Sequence, residues 1–437
     1  MTIKGTLRAV IKNSAVLLSG NVLMSAFGIC TSVLLARHFG ASDFGILAIL
    51  QALVLTTRGF ASAQPWQALV RFGADSLVKG ARSQFSQVAH VTLMVSVGSA
   101  AVSTAIAFAL VISLGVILGI PREYEGLALL YVATALCNLS DYFIGVFRLF
   151  NRYGIFAAYN TGCSGMRLVL AIVIALNHLP FADAMLLLIA FELSEQIGLI
   201  VIGVHIFDKY APQPILHLLR QPLPSLSQLS STYRFLRSIW TWSTLRMLPR
   251  ELDILVVSVL LGTTATGIYK VAKQLASVTA KVYTPFYEAT APDINLLYSK
   301  GDYAQLHRLI KGINRLTLVS TATTVAIIAI VGQPILRHVL GTEFLPAYWP
   351  AIFYSIALLV FSGSLSFTLF LFAIDRQTFV AQVHLAATVG YFTLLPVLVL
   401  QYETMGAALA YLGLHIILTA LIVKDASHRL LRLRPEV

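Results

Sequence analysis

The stretch SQFSQVAHVTLMVSVGSAAVSTAIAFALVISLGVILGIP at residues 83–121 contains no formally charged side chain. Residues 344–374 and 377–402 are also free of Asp, Glu, Lys and Arg. Each stretch is longer than the ~20 apolar residues that an α-helix needs to cross a bilayer. Because helices are the usual way for such runs to satisfy their backbone in lipid, the sequence predicts an all-α polytopic membrane protein.

The composition of the whole chain supports the same fold class. Hydrophobic residues make up 57% of the 437 positions and charged residues only 11%. Lys and Arg outnumber Asp and Glu 31 to 19; in a membrane protein this excess reflects cytoplasmic loops and anionic lipid, not nucleic acid. The three cysteines lie in apolar runs without the spacing of a metal site. We therefore expect no metal, cofactor or nucleic-acid partner.

About twelve transmembrane helices fit along the chain. We predict spans at residues 13–36, 43–64, 88–119, 126–148, 155–177, 183–206, 238–261, 266–289, 314–338, 347–373, 378–400 and 404–424. Most Lys and Arg outside the spans fall in alternate connections, which the positive-inside rule places in the cytoplasm. Both termini are therefore expected in the cytoplasm, and the basic N-terminal segment is interpreted as the start of the first span, not as a cleaved signal peptide.

The largest polar interruption divides the predicted helices six and six. It contains several serines and the prolines at 212, 214, 222 and 224, a composition typical of a connecting segment. We therefore predict an N-terminal six-helix bundle at 1–207, a cytoplasmic linker at 208–237 and a C-terminal six-helix bundle at 238–437.

Sequence landmarks recur in the two halves at nearly one offset. The motif GASDFGI at 40–46 matches GTTATGI at 262–268. Two shorter pairs follow at a similar offset: Lys79-Gly80 with Lys300-Gly301, and Asn151-Arg152 with Asp375-Arg376. An even number of helices per half gives both repeats the same orientation in the membrane. Parallel repeats of this kind are typical of transporters, with a central cavity and substrate path between the halves.

Basic residues inside the predicted spans are the main candidates for a site, because a charge at mid-membrane costs about 3 kcal/mol if it faces lipid. They are Arg58, Arg167, Arg246, Arg250, Lys270, Lys273 and Lys281. Helical periodicity places the three lysines on one side of the eighth span. The repeat offset brings Arg58 to the depth of Lys281. We expect a basic cavity whose substrate contacts are Arg58, Lys273, Lys281, Arg246, Arg250 and Lys270.

Embedded carboxylates provide a purely structural alternative for some of these residues. Arg250 and Asp253 are three residues apart on one helix and are able to neutralise each other. Arg167 is expected to pair with a carboxylate of the fourth or sixth span. Lys270 lies near the outer interface and is able to reach the head groups. A basic cavity that remains after such pairing suits a lipid with an anionic head, such as a lipid diphosphate.

A further set of motifs covers nearly the whole chain. They are LLARHFG at 34–40, DFGIL at 43–47, Asp253, LLG at 260–262, TGIY at 266–269 and YSKGD at 298–302. These motifs resemble those of the polysaccharide-transporter branch of the MOP flippase superfamily. The resemblance implies two six-helix bundles around a V-shaped cavity that works by alternating access.

The same resemblance implies a function. The implied substrate is an undecaprenyl-diphosphate-linked oligosaccharide, moved from the cytoplasmic to the periplasmic leaflet of the bacterial inner membrane for surface polysaccharide export. A glycan polymerase or assembly complex is the implied protein partner. Family members are thought to use an ion gradient or the membrane potential, so Asp141, Glu192 and Glu195 are candidates for a proton or cation site. A structural salt bridge is equally open for each of them.

Other functions stay open at this point. A multidrug or metabolite antiporter of the same superfamily would favour a cavity dominated by carboxylates, because its drugs are cationic. A non-transporting scaffold would not need lysines aligned on one helix face. A membrane-bound glycan polymerase or ligase would need a large outside loop, and the predicted outside loops are short. No Gly-rich phosphate loop followed by Lys-Ser/Thr occurs, so we expect a transporter and not an enzyme.

Overall fold

The structure, a computed structural model, describes the backbone of residues 3–220 and 230–433. The side chains at 3–22, 241–242, 244–250 and 288–289 lie outside that description. Every regular element within the described residues is helical. The predicted all-α fold class is therefore confirmed.

Fourteen α-helices follow one another along the described chain. They are α1 (Ile3–Ala61), α2 (Pro65–Ala68), α3 (Ala74–Val78), α4 (Arg82–Leu114), α5 (Glu125–Ala133), α6 (Ser140–Leu149), α7 (Tyr153–Leu176), α8 (Phe181–Tyr210), α9 (Ile215–Leu219), α10 (Ser230–Ser299), α11 (Tyr303–Ile335), α12 (Tyr348–Ser362), α13 (Leu365–Ala373) and α14 (Gln377–Arg432). Short π-helical and 3₁₀ turns join several of them. Within the described residues, nine helical segments are long and apolar enough to cross a membrane. The protein is a multi-pass membrane protein.

Three of the nine segments are much longer than one bilayer crossing. Each of the helices α1, α10 and α14 contains one residue with non-helical backbone angles: Gly40 (φ 72°), Gly262 (φ 81°) and Glu403 (φ 52°). These residues fall between pairs of predicted spans, so each long helix carries two apolar segments that meet at a kink. If each of these three helices crosses the membrane twice, the nine segments become twelve spans. The count of twelve stays a prediction.

Residues with positive φ occur at matching places in the two halves of the sequence. The matched pairs are Gly40 and Gly262, Gly80 and Gly301, Gly119 and Gly341, Asn151 and Asp375, and His178 and Glu403. Side chains other than Gly, Asn and Asp rarely adopt this conformation. The three pairs of matching motifs found in the sequence each contain one of these matched positive-φ pairs. The sequence repeat is therefore also a repeat of backbone turns.

The described chain groups into two compact units whose bounds differ from the predicted bundles. Unit 1 comprises Met1–His38 and Leu50–Glu251, and unit 2 comprises Phe39–Ile49 and Leu252–Val437. Two segments therefore group differently from the prediction: 39–49 belongs with unit 2, and 238–251 belongs with unit 1.

The close approach of two glycines explains why residues 39–49 belong to unit 2. A Cβ atom on Gly45 would stand 2.0 Å from the carbonyl oxygen of Thr263, and one on Gly267 would stand 2.0 Å from that of Ala41. The hydroxyls of Ser42 and Thr263 also share a hydrogen bond of 3.1 Å. The two repeated glycines thus let two backbones touch, and they join this segment to α10.

Side-chain packing explains why the start of α10 belongs to unit 1. Leu236 is 4% exposed and packs in a cluster with residues of α2 and α4. The Arg71 guanidinium lies 4.8 Å from the ring centre of Phe235. The Trp240 indole nitrogen donates to the carbonyl oxygen of Phe60 at 2.7 Å. The end of the predicted linker is therefore a helix that packs on unit 1, whereas residues 221–229 of that linker lie outside the described residues.

An aromatic core fixes the helices of unit 1 that carry its polar residues. Phe85 of α4 stacks on Phe207 of α8 at a centroid distance of 6.1 Å. Tyr142, Phe143 and Phe147 of α6 are fully buried in the same cluster. Because α6 is held against α4 and α8 along its length, the position of its first turn is well defined.

The glycine contact in unit 2 leads to a stability prediction. Gly45→Ala and Gly267→Ala should each lower the midpoint of thermal unfolding, because the new methyl group would press on a backbone carbonyl and overpacking costs about 1–3 kcal/mol. The matched control is Gly390→Ala in α14, where nothing lies within 4 Å of the added carbon and alanine favours the helix. Thermal unfolding of the purified protein in detergent would contradict the close approach if all three variants melted alike.

Candidate functional site

Arg58 near the end of α1 forms an ion pair with Asp141 in the first turn of α6. Its Nη2 atom donates to Asp141 Oδ1 at 2.9 Å and to Ser140 Oγ at 2.8 Å. The second carboxylate oxygen of Asp141 accepts from Ser62 Oγ at 2.6 Å. Ser140 in turn donates to Asn138 Oδ1 at 2.7 Å. A carboxylate at a helix N-terminus is favoured by the helix dipole, so Asp141 is held by charge, hydrogen bonds and position together.

A cavity lies beside this ion pair within unit 1. It is a small cleft with room for about one water molecule. Its lining is Arg58, Ser62, Pro65, Ser96, Ser99, Ala100, Ser103, Ala135, Asn138 and Asp141. Ser96 is 4% exposed, and its hydroxyl has no hydrogen-bond partner among the described residues. A buried polar atom without a partner is uncommon in native proteins. The cavity therefore offers an available hydroxyl to a polar group that enters it.

The serines of this cavity were missed by the sequence reasoning, which weighed only charged residues. Ser96, Ser99 and Ser103 follow one another at helical spacings of three and four within the charge-free stretch of α4. Such spacing puts all three side chains on one face of a helix. A polar stripe inside an otherwise apolar span was the available signal.

Arg167 of α7 contacts two carboxylates of α8. Its Nη2 atom donates to Glu192 Oε2 at 2.8 Å and also to Glu195 Oε2. Gln196 donates to the other oxygen of Glu192 at 3.2 Å. The expected pairing of Arg167 with a sixth-span carboxylate is confirmed. Because one guanidinium serves two carboxylates, the group carries one more acid than base.

Lys273 and Asp253 form a buried ion pair within unit 2. The Lys273 ammonium lies 2.8 Å from Asp253 Oδ1 and 3.1 Å from Oδ2. The Asp253 side chain is 0% exposed and that of Lys273 is 12% exposed. The Tyr269 hydroxyl donates to Asp253 Oδ2 at 2.6 Å. Lys273 reaches Asp253 because the turn at Gly262 brings two distant parts of α10 together. The pairing of Asp253 with Arg250 that the sequence offers involves a side chain outside the described residues and stays a prediction.

Lys281 differs from the other embedded basic residues whose side chains are described. It is exposed, and among the described residues it has no ion-pair or hydrogen-bond partner. Lys270, on the same helix, is half-buried. The side chains of Arg246 and Arg250 lie outside the described residues, so their expected place in a basic cavity stays a prediction.

The pairing of embedded charges decides which chemistry is available. Asp141, Glu192, Glu195 and Asp253 each contact a basic side chain. Within the described part of the chain, no group of three or more His, Cys, Asp or Glu residues is arranged to hold a metal ion. Arg, Lys, Ser and Asn side chains are able to bind phosphate and hydroxyl groups, while Glu251 has a buried Oε2 without a hydrogen-bond partner among the described residues.

Comparison with known sequences gives a family and a relative. Residues 10–294 match the family described as "Polysaccharide biosynthesis protein". The chain is also 24% identical over 363 residues to the inner membrane protein YghQ of Escherichia coli (strain K12). That match covers 79% of this chain and 96% of YghQ.

Comparison with solved structures gives the fold. An inward-facing multidrug resistance MATE family transporter of the MOP superfamily matches with a TM-score of 0.76 and 11% identity, over 94% of this chain and 95% of that one. The lipid II flippase MurJ, in an inward closed conformation, matches with a TM-score of 0.72 and 13% identity, over 95% and 89%. A MOP superfamily transporter from Pyrococcus furiosus matches with a TM-score of 0.65 and 13% identity, over 98% and 96%.

Identities this low establish the shared fold alone. The family match covers well over half of the chain and agrees with the resemblance carried by the sequence motifs. The chain belongs to the polysaccharide biosynthesis protein family and has the fold of MOP superfamily transporters.

Proposed function

We propose that this protein moves undecaprenyl-diphosphate-linked oligosaccharide repeat units from the cytoplasmic to the periplasmic leaflet of the bacterial inner membrane, by alternating access, for surface polysaccharide export. Family membership supports a role in polysaccharide biosynthesis. MurJ, which shares the fold, is described as a lipid II flippase, and YghQ is described as an inner membrane protein. The charge bias of the loops supports cytoplasmic termini. The product passes to a glycan polymerase or assembly complex.

The observation that carries this proposal is the pairing of the embedded charges. Asp141 and Asp253 are each neutralised by one basic side chain, and Glu192 and Glu195 share the guanidinium of Arg167. Lys281 is an embedded cation with no partner among the described residues. A cationic drug needs an available carboxylate, whereas a phosphate needs an available cation. Lys281 therefore supports binding of an anionic head group, and Glu251, whose buried Oε2 has no hydrogen-bond partner among the described residues, is the embedded carboxylate that a cationic substrate would use instead.

The basic residues take different roles in this proposal. Lys281 binds phosphate directly because its ammonium is available. Arg58 binds phosphate after it exchanges Asp141 for the substrate. Lys273 acts first by neutralising Asp253, and Lys270, Arg246 and Arg250 supply further positive charge to the path of the head group.

The group formed by Arg167, Glu192 and Glu195 suits coupling to a proton gradient. The group places two carboxylates on one guanidinium within an apolar span, so a proton or a cation is able to balance the excess negative charge. Asp141 is less suited to this role because Arg58 already balances its charge one to one. We therefore assign proton coupling to Glu192 and Glu195.

Deletion of the gene tests the flipping step and the role of Lys281 together. The deletion strain should lose surface polysaccharide and accumulate complete lipid-linked repeat units on the cytoplasmic leaflet. Complementation with Lys281→Ala should restore export poorly, since a hydrogen bond to a charged group contributes about 1.5–3 kcal/mol, or roughly 10–100-fold in binding. Lys281→Arg should restore it well.

The control for Lys281 is Lys311→Ala, an exposed lysine near the start of α11. Protein levels must be equal in all strains. Full export by Lys281→Ala would reject the phosphate role and favour the scaffold function. Normal surface glycan in the deletion strain would point to the antiporter, and drug or metabolite export would then be measured.

Lys273 should affect stability before it affects transport. Lys273→Met removes the ammonium group that the fully buried Asp253 carboxylate contacts, and breaking such a pair costs about 3–5 kcal/mol. The double variant Asp253→Asn with Lys273→Met should recover much of the lost thermal stability. Lys300→Met, at an exposed lysine directly after the end of α10, is the control. A Lys273→Met protein that melts like wild type but fails to transport would instead assign Lys273 to the substrate.

Removal of one carboxylate should uncouple transport from the proton gradient. With Glu195→Gln the charge of the group is balanced, so no proton is needed there. Flipping by reconstituted protein should then respond weakly to an imposed pH difference, while Asp183→Asn, an exposed carboxylate at the start of α8, should respond like wild type. An unchanged response of Glu195→Gln would remove the group from the coupling mechanism.

A further inference from the structure

We propose that an arginine–aromatic surface of unit 1 is a loading site, which binds the diphosphate of the lipid substrate at the cytoplasmic surface of the membrane before the head group is translocated. The surface consists of Trp66, Arg148, Arg152, Tyr153, Lys209 and Tyr210. This inference rests on the proposed function, and it adds a separate first binding site for the same head group.

Two aromatic rings hold the guanidinium of Arg148, which lies in the last turn of α6. Its Cζ atom stands 4.3 Å from the ring centre of Trp66 and 5.0 Å from that of Tyr153. Trp66 is fixed against α6, because a Cβ atom on Gly145 would stand 3.0 Å from its Cα atom. Arg148 is exposed and has no hydrogen-bond or ion-pair partner among the described residues. Contact with rings therefore orders the guanidinium while its N–H donors stay available to an anion.

Two further cations share the ring of Tyr210 at the end of α8. The Cζ atom of Arg152 lies 5.0 Å from the ring centre, and the ammonium of Lys209 lies 5.7 Å from it. Arg152 also donates to the Tyr210 hydroxyl. The neighbouring carboxylate of Asp208 accepts from the backbone nitrogen of Ile215 at 2.7 Å. Within the described part of the chain neither cation forms an ion pair, so the surface has a strongly positive potential.

The loading site lies on the face of α6 that carries the ion pair of Arg58. Asp141 and Arg148 are seven residues apart in α6. Seven residues make nearly two helical turns, so both side chains leave the same face about 10.5 Å apart along the axis. Arg148 is also the last residue of a predicted span, on its cytoplasmic end in the orientation proposed above. The phosphates of lipids in the cytoplasmic leaflet stand at this level, so the head group meets the loading site without entering the apolar core.

The number of charges on the head group favours a diphosphate at this site. Coulomb attraction to each cation grows with the charge of the ligand, and a diphosphate carries more negative charge than the phosphodiester of a bulk phospholipid. It also has acceptor oxygens on two phosphate groups, so it is able to contact more than one of the three cations. Arginine binds such oxygens in pairs through its planar fork of donors. The lipid diphosphate is therefore the favoured occupant.

The experiment compares two lipid probes on the purified full-length protein. Native mass spectrometry in detergent measures the affinities for undecaprenyl diphosphate and for phosphatidylglycerol. Arg148→Gln should weaken binding of undecaprenyl diphosphate by about tenfold, because charge-assisted hydrogen bonds are lost. Binding of phosphatidylglycerol should weaken by a smaller factor, since it carries less charge. Trp66→Leu keeps every cation and should weaken binding of undecaprenyl diphosphate by about two- to fivefold, because the indole no longer orders the guanidinium.

The matched control is Arg82→Gln, at an exposed arginine in the first turn of α4. It removes one positive charge from the same side of unit 1 and should leave both affinities unchanged. Thermal unfolding of all variants should match wild type, since the substituted side chains lie at the surface. Equal losses in Arg82→Gln and Arg148→Gln would reduce the effect to general positive charge and overturn the proposal. An equal loss of both lipids in Arg148→Gln would assign the surface to bulk phospholipid and also overturn it.

The affinity of the wild-type protein keeps this inference distinct from the proposed function. If wild type binds undecaprenyl diphosphate no more tightly than phosphatidylglycerol, the proposed function fails and the loading site fails with it. If wild type prefers undecaprenyl diphosphate and Arg148→Gln keeps the full affinity, only the loading site fails.

Discussion

A charged side chain within a bilayer is stable only when another charge, a hydrogen-bonding group or water compensates it, and this constraint organises both units of the protein. In unit 1, Arg58 joins α1 to α6 through Asp141, and Arg167 joins α7 to α8. In unit 2, Lys273 and Asp253 join the two parts of α10 that meet at Gly262. The ion pairs are therefore cross-links between helices, and they also determine which charges stay available for a substrate.

Much of the fold follows from the sequence because its turns need particular residues. A positive φ favours Gly, Asn and Asp, so the paired landmarks at Gly40 and Gly262, or Asn151 and Asp375, are visible in the sequence and in the backbone alike. The pair His178 and Glu403 cannot be recognised in this way, because neither residue type is typical of a positive φ. The grouping of residues 39–49 with unit 2 is not visible in the sequence either, since the contact between Gly45 and Thr263 depends on a close approach that no local pattern reveals.

The candidate site is less predictable for a related reason. Spacing along one helix reveals which residues share a face, and it correctly identified the basic residues worth attention. Partners come from elsewhere: Asp141 lies far from Arg58 in the sequence, and Lys273 reaches Asp253 only because the chain turns at Gly262. The serines of α4 carry no charge, so a search for embedded charges does not find Ser96. The helical spacing of Ser96, Ser99 and Ser103 in the sequence would have identified them.

The membership of residues 39–49 in unit 2 has a consequence for biosynthesis. This segment leaves the ribosome early, yet the backbones that it packs against belong to residues 263–267, and the nitrogen of Ala41 bonds the carboxylate of Glu343. Its apolar side chains, such as Phe44 and Ile49, are almost fully buried in the finished protein. During translation these side chains remain without their native contacts, either in the membrane or bound to the insertion machinery, until much of the second half has been synthesised. Nascent chains that end before residue 263 therefore hold a segment whose native neighbours do not yet exist.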